Sequence, residues 1–515
     1  MRPQASQPST STASTRSRRQ PSARPERHDP VTSSSTSDLR VAIVGAGPAG
    51  IYAGNLLGTS VRDAGGTVAI DLFESLPAPY GLIRYGVAPD HPRIKGIVTS
   101  LHEMLDATPG GDDVAPRRNI RFIGNVEIGR DLALDELRQR YDAVILATGA
   151  MRDAELDIPG ILRPGSFGAA DFVAWYDGHP DVPRDWPLDR REVAVIGNGN
   201  VALDVARMLA KHDVDLRATE VADNVLAGLG ASAVTDVHVF GRRGPADIKF
   251  TPIELRELGE VPNVDIVLYD DDFAGNAADP ANARNNQLKV MLRLLNGWRS
   301  RPLTGAPRRL HLHFFHAPVE VLGDDRDGEG HVSGVRFERT EPDGRGGVRG
   351  TGEHRDIAVQ QVYRAVGYAG TRVEGAPFDE RTGVIPNIEG RVMETAALGG
   401  AAAGGAAVVP GLYATGWIKR GPVGLIGHTK SDAMETVAHL VADARAGALP
   451  ARAVEGDVLE LLDAREVPFT TWDGWRALDA HERELGAGHE YPRERVKVVP
   501  RNEQTAISRE GVLVP

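Results

Sequence analysis

The stretch Arg40-Val-Ala-Ile-Val-Gly-Ala-Gly-Pro-Ala-Gly50 decides the fold. A short β-branched run ends in Gly45, Gly47 and Gly50, the G-x-G-x-x-G spacing of a strand that turns into a helix. Gly45 permits the tight turn, Gly47 lets a pyrophosphate approach the backbone, and Gly50 allows the helix to pack closely on the strand. Ala46 and Ala49 belong to the same nucleotide-facing turn. A helix is expected to begin at Ala53–Leu57, and its free N–H groups and positive dipole favour phosphate at the turn. Glu74 closes the next strand, Thr67–Glu74, 24 residues beyond Gly50. There a carboxylate can accept bonds from both hydroxyls of an adenosine ribose, and it would repel a 2′-phosphate. The site therefore fits FAD or NAD and not NADP. A glycine turn that merely bends the chain leaves the strand, the helix and Glu74 unexplained together.

Working outward, DAVILATGA (Asp142–Ala150) reads as a further strand, and such continuous apolar runs suit parallel strands buried on both faces. About 150 residues after the first turn the pattern restarts. Strand VAVIG from Glu192 leads into Gly197, Asn198, Gly199, Asn200 and Val201, then helix VALDVARML, then strand VHVFGRR. Alanine at the third glycine position is tolerated because that position only has to be small. The acidic partner is missing here. The matching strand ends in Gly241-Arg242-Arg243, and two guanidiniums can hold a 2′-phosphate by forked, charge-assisted bonds. The bland alternative is a solvated basic turn, which the upstream glycines argue against. A stretch from Asp213 to Ala233 accounts for the long interval between Gly199 and Arg242. After Tyr363 come short apolar strands, glycine turns and a helix expected over Lys430–Ala446.

The fold class expected is α/β, with two Rossmann-like dinucleotide-binding domains and the NADP domain inserted into the FAD domain. The boundaries expected are a disordered leader at 1–38, an FAD-binding domain at 39–150 and 369–515, and an NADP-binding domain at 151–368. The leader is rich in Ser, Thr, Pro and Arg and has too little apolar surface to offset its ordering entropy. Its composition fits a transit peptide as well as a dispensable leader, the reading we prefer. A cytoplasmic location is expected, with organellar targeting left open. Ala396–Val409 is too short and too weakly apolar to span a bilayer and reads as a surface loop.

Composition narrows the chemistry. The 515 residues carry a net charge of −12, so the protein will bind neither nucleic acid nor an anionic membrane unaided. Cysteine is absent. That excludes disulfides, a thiolate metal site, a bound iron–sulfur cluster and a redox C-x-x-C. No metal site is expected. Any iron–sulfur centre that receives electrons must belong to another molecule.

Four motifs in this order resemble the adrenodoxin reductase-type ferredoxin–NADP reductases. They are PYGLIRYGVAPDHP (Pro79–Pro92), GNGNVALDVAR (Gly197–Arg207), FGRRGP around Gly241, and GWIKRGPVGLIGHTKSDA (Gly416–Ala433). The resemblance covers about residues 38–500. It implies an FAD enzyme that takes hydride from NADPH and passes single electrons to a ferredoxin-like iron–sulfur protein. By position it implies that Ala46, Glu74, Leu82 and Val126 touch FAD, and that Trp417 and the Gly424–Leu425–Ile426 backbone approach the flavin ring. For NADP it points to Arg152, Asn198–Val201, Arg242, Arg243, Glu254 and Gly424. Glycines near a helix start would let N–H groups stabilise negative charge on a reduced flavin. The resemblance also pairs His91 with Glu257 beside the reacting rings, where a histidine with a carboxylate neighbour could manage a proton near neutral pH. A histidine in an Asp-His-Pro turn can equally be a capping group.

Between Ala281 and Val319 there is no acidic residue, yet Arg284, Lys289, Arg293, Arg299, Arg301, Arg308 and Arg309 occur. Either this is a patch that steers an acidic ferredoxin, or a basic helix paired with acids from elsewhere. A disulfide reductase would need cysteines. A flavin monooxygenase would need a substrate domain, and none is evident. An electron-transfer subunit of a larger assembly would usually carry cluster cysteines. Nothing in the sequence demands an oligomer, so a monomer is expected.

Overall fold

The computed structural model describes residues 38–106, 120–274, 278–324, 330–394, 407–424 and 426–510. The leader, most of the Ala/Gly segment, Leu425 and the last five residues lie outside the described residues.

One sheet has eight strands. In spatial order they are Asn387–Ile388, Arg391–Met393, Val408–Ala414, Ala143–Leu146, Leu39–Val44, Val68–Phe73, Ile120–Gly124 and Thr470–Thr471. The five central strands run parallel. The apolar run of the first strand explains why. Val41 and Ile43 enter one core cluster while Ala42 and Val44 enter another on the opposite face. A strand covered on both sides has no polar face to alternate. The helix Pro48–Asp63 starts at Pro48 rather than near Ala53, because proline at the first helical position gives up an N–H that would be unpaired anyway. It packs along the helix Ile426–Arg445, which starts four residues earlier than expected at Lys430.

A second sheet has six parallel strands in the order Ser166–Gly168, Gln361–Arg364, Glu192–Ile196, Asp236–Phe240, Arg308–His313 and Val264–Leu268. Val193 and Val195 face a helix-covered core; Ala194 and Ile196 face a second cluster with Val321, Val335 and Phe337. The last three come from an antiparallel sheet of His316–Gly323, Val332–Pro342 and Val348–Ile357. The interval 213–233 holds a 3₁₀ turn, Asp213–Asp215, and a helix, Asp223–Gly230. Arg152–Asp153 pairs antiparallel with Tyr368–Ala369, at the two places where the chain passes between the sheets. Among the described residues no helix is long and apolar enough to cross a membrane.

Candidate functional site

Both glycine turns are closed on the protein side and open on the other. Gly45 has φ +108°, and a Cβ there would lie 2.5 Å from the carbonyl oxygen of Ala147. A Cβ on Gly50 would lie 1.9 Å from the carbonyl of Gly45. A Cβ on Gly47 would meet nothing nearer than the Gly81 Cα at 4.0 Å. The second turn repeats this: a Cβ on Gly197 would sit 2.1 Å from the Ala365 carbonyl, whereas Gly199 has nothing within 4 Å. The middle glycine is thus the one that leaves room for a phosphate, which is the fit a dinucleotide requires.

Around the first turn the fold gathers most of the residues read from sequence. Glu74 is buried; its Oε2 accepts from the Ala46 N–H at 2.8 Å and its Oε1 from Leu76 N–H at 3.2 Å. Burial raises its pKa, against the lowering effect of these bonds. The Val126 N–H donates to the Glu74 carbonyl at 2.9 Å, and the Val126 side chain is buried beside it. Leu82 opens a short helix after Gly81, whose own Cβ position lies 3.2 Å from the Gly47 Cα. On the other flank a Cβ at Gly416 would fall 2.6 Å from the Ala49 Cβ, which brings the helix Trp417–Arg420 against the turn. Trp417 stacks on Tyr368 at 6.3 Å between ring centroids. Gly424, at φ +90°, precedes the helix that begins at Ile426, whose side chain, like Leu425, lies outside the described residues.

At the second turn the Asn198 amide lies against Gly241, where a Cβ would come within 2.5 Å of Nδ2. Asn200 Oδ1 accepts from the Thr251 N–H at 3.1 Å and so ties the turn to the helix Pro252–Leu258. Val201 is half-buried in the first turn of the helix Asn200–Ala210. Arg242 is exposed and Arg243 half-buried, and among the described residues neither guanidinium has a hydrogen-bond or ion-pair partner. Arg152 is exposed on its short strand. Glu254 is buried, its Oε2 has no hydrogen-bond partner among the described residues, and burial raises its pKa.

The structure brings His91 and Glu257 together: Nδ1 lies 3.1 Å from Glu257 Oε2, though out of line for a hydrogen bond. His91 Nε2 lies 2.9 Å from Asp204 Oδ1 and 2.6 Å from Arg207 Nη2. Burial alone would push the imidazole's pKa down and Arg207 adds to that, yet the Asp204 carboxylate outweighs both and raises it. Arg207 is itself 1 % exposed and is forked onto Asp90, with Nε–Oδ2 at 2.7 Å and Nη2–Oδ1 at 2.9 Å. Against its burial, Arg207 and Lys211 hold Asp90 well below the usual carboxylate range. Asp204, Arg207 and Asp90 are not among the site residues read from sequence. The DVAR run, with Asp204 and Arg207 three apart on one helix face, was the available signal.

A raised folded pKa means that the stability His91 contributes is fully present below about pH 6.5 and is lost as pH rises through the folded value. We expect Asp204→Asn to drop the His91 titration midpoint below that of a free imidazole, read by ¹⁵N NMR of the ring. An unmoved midpoint would take Asp204 out of this account.

The basic segment is partly accounted for inside the fold. Arg284 pairs with Asp247 at 2.7 Å, Arg299 approaches Asp270 at 3.6 Å, and Arg309 reaches Asp236 at 2.5 Å. Arg308 is buried and donates to the carbonyls of Leu209, Ala210 and Lys211 at the end of the helix Asn200–Ala210. Four of the seven cations are therefore taken up by acids or a helix end, but of the three on the helix Asn286–Arg299 only Arg299 approaches an acid. Lys289, Arg293 and Arg301 stay outside the core.

Two parallel-strand folds, each with a phosphate-sized glycine turn and opposite charge at the matching strand end, define an oxidoreductase built on paired dinucleotide sites. The family model described as "Pyridine nucleotide-disulphide oxidoreductase" matches residues 39–238. The NADPH-ferredoxin reductase FprA of Mycobacterium tuberculosis is 38% identical over 461 residues, covering 88% of this chain and 96% of that one. The mitochondrial NADPH:adrenodoxin oxidoreductase of Arabidopsis thaliana is 36% identical over 477 residues, 90% of this chain and 95% of its own. A solved structure of the Mycobacterium tuberculosis protein in complex with NADPH aligns at a TM-score of 0.79 and 37% identity, over 92% of this chain and all of that one. The chain belongs to the NADPH–ferredoxin and adrenodoxin reductase family, the one its motifs resemble.

Proposed function

We propose that this chain is an FAD-dependent NADPH:ferredoxin oxidoreductase. The observation that carries the reading is the contrast between its two turns: a buried carboxylate at one strand end, and at the other two guanidiniums that have no hydrogen-bond or ion-pair partner among the described residues. Bound FAD supplies the exchange between a hydride's electron pair and single electrons. The chain supplies binding, orientation and proton handling.

Glu74 receives the adenosine ribose of FAD, and the backbone at Gly45–Gly50 receives its pyrophosphate. Leu82, Val126 and Trp417 form apolar walls, and the backbone N–H groups of Gly424 and Ile426 serve the flavin edge. Asn198–Val201 cradle the NADPH pyrophosphate, Arg242 and Arg243 its 2′-phosphate. Arg152, Glu254 and Gly424 place the nicotinamide half; a buried carboxylate oxygen without a partner, as on Glu254, suits a ribose hydroxyl or carboxamide donor. His91 holds a proton, set by Asp204 on Nε2 and by Glu257 near Nδ1. We place the boundary of the NADP-binding domain at 151–368, inside an FAD-binding domain of 39–150 and 369–515. The electron acceptor is a separate ferredoxin-like protein, since the chain has no cysteine to hold a cluster. A monomer working in the cytoplasm completes the proposal.

The purified protein should be yellow, and NADPH should bleach it anaerobically at a concentration at least about tenfold below that needed of NADH. An added ferredoxin should then restore the colour. A colourless protein would overturn the FAD assignment. Reoxidation by oxygen and never by any ferredoxin would move the reading to a flavin monooxygenase.

A further inference from the structure

The second sheet carries a cluster that the proposed reaction does not use. Asp236–Phe240 and Arg308–His313 are neighbouring parallel strands, in a register that sets His238 opposite His311 and Phe240 opposite His313. Side chains two apart share a face. Val237, Val239, Leu310 and Leu312 enter the helix-covered core. His238, His311 and His313 therefore lie on the other face, toward Phe240 and Phe337. All three imidazoles are buried, at 8%, 7% and 6% exposure. One nitrogen from each lies within 4.8 Å of the others.

Burying three imidazoles in one layer is costly unless their nitrogens find partners. Protein groups satisfy them only in part. His238 Nδ1 and His313 Nε2 are 3.0 Å apart. Among the described residues His238 Nε2 has no hydrogen-bond partner, and Glu192 Oε2 stands 3.9 Å away. His311 is held from both sides, Nε2 at 3.0 Å from Asp236 Oδ1 and Nδ1 at 2.8 Å from the Tyr269 hydroxyl. A carboxylate on the far nitrogen of an imidazole is the arrangement that orients metal-bound histidines and raises their basicity.

We propose that His238, His311 and His313 form a binding site for one borderline transition-metal ion of the Zn²⁺, Cu²⁺ or Ni²⁺ class. Imidazole nitrogens suit these ions, and no thiolate is available in this chain to shift the preference. In a tetrahedral site with metal–nitrogen bonds of about 2.0–2.1 Å, ligand nitrogens sit about 3.3 Å apart. To reach that spacing the stacked rings must turn toward one point, the ion replacing the His238–His313 hydrogen bond and the Tyr269 hydroxyl on His311 Nδ1. The site would cross-link two strands of the second sheet, one of which ends in Arg242 and Arg243.

The test uses the full-length chain with its cofactor, stripped with chelator and titrated with Zn²⁺ in a non-coordinating buffer by calorimetry. One equivalent should bind more tightly than about 1 μM. Fifteen histidines are available in the chain, so stoichiometry alone does not locate the ion. The double variant His238→Gln/His313→Gln should weaken that binding at least about 100-fold, and Asp236→Asn should weaken it about 10- to 100-fold. Should the double variant fail to fold, the wild-type protein still decides. Its Cu²⁺ complex, with the flavin oxidised and silent, should show electron-spin resonance splitting from three imidazole nitrogens. No stoichiometric site in the wild type, a site of unchanged affinity in the variant, or fewer than three coordinated nitrogens would each overturn the proposal.

Discussion

Replacing Arg242 and Arg243 together with glutamine is expected to lower kcat/KM for NADPH by about 10²- to 10⁴-fold and to leave that for NADH nearly unchanged. The magnitude follows from charge-assisted hydrogen bonds worth about 1.5–3 kcal/mol each, or roughly one to two decades per guanidinium. The direction follows from where the residues sit. Their backbone is fixed: the Arg242 carbonyl accepts from Thr340 Oγ1 at 2.6 Å and the Arg243 carbonyl from the Phe315 N–H at 3.2 Å. Among the described residues their guanidiniums have no hydrogen-bond or ion-pair partner to lose; Arg243 acts only at longer range, on the Asp343 carboxylate. Stability should therefore move by less than about 0.5 kcal/mol, as for other surface substitutions away from special features. The decisive quantity is the ratio of kcat/KM for the two nucleotides. If it does not fall, the 2′-phosphate is held elsewhere and the charge contrast between the two strand ends means nothing for specificity.

That contrast was legible in the sequence because the constraint behind it is local. A strand that must turn into a helix within five residues, beneath a phosphate, has no room for side chains at Gly45, Gly50 and Gly197, as the clashes there confirm. The pairs that organise the site are not local. Asp90 and Arg207 are 117 positions apart, His91 and Asp204 113. Nothing in either segment alone says that they meet. The basic run from Arg284 to Arg309 illustrates a second limit. Its sign was readable, but the strand phase that turns Arg308 inward onto a helix end and Arg309 outward onto Asp236 was not. The histidines fall between these cases. HLHFFH, residues 311–316, alternates with a period of two, and the match to His238 needed only the strand register.

Glu482→Ala is expected to be the most destabilising single change considered, at about 3–5 kcal/mol, read as a lowered urea midpoint. Arg84, in the short helix Leu82–Tyr85 beside the first glycine turn, meets Glu482 of the helix Trp472–Ala487 in a forked pair. Nη1–Oε2 is 3.0 Å and Nη2–Oε1 is 2.5 Å, with side chains 4% and 0% exposed. Glu482 Oε1 also accepts from the Val498 N–H at 3.0 Å, and Arg495 stands 3.6 Å from Oε2. Removing the carboxylate would leave two buried guanidiniums and an amide without it. Among the described residues Arg84 Nε already lacks a hydrogen-bond partner, and what remains beside the cation are the faces of Tyr85 and Trp475, 5.2 and 5.1 Å from the guanidinium carbon. The pair itself need not be a large net gain over an apolar core. The double variant Arg84→Met/Glu482→Leu should accordingly recover most of the loss, since it removes both charges and keeps the volume. If Glu482→Ala costs less than about 1 kcal/mol, water must reach the site and the pair is not buried in solution. If the single change costs the full amount and the double variant recovers none of it, the pair does more than compensate its own desolvation. It would then be fixing the short helix Leu82–Tyr85 beside the first glycine turn, and the double variant should lose FAD even where it stays folded.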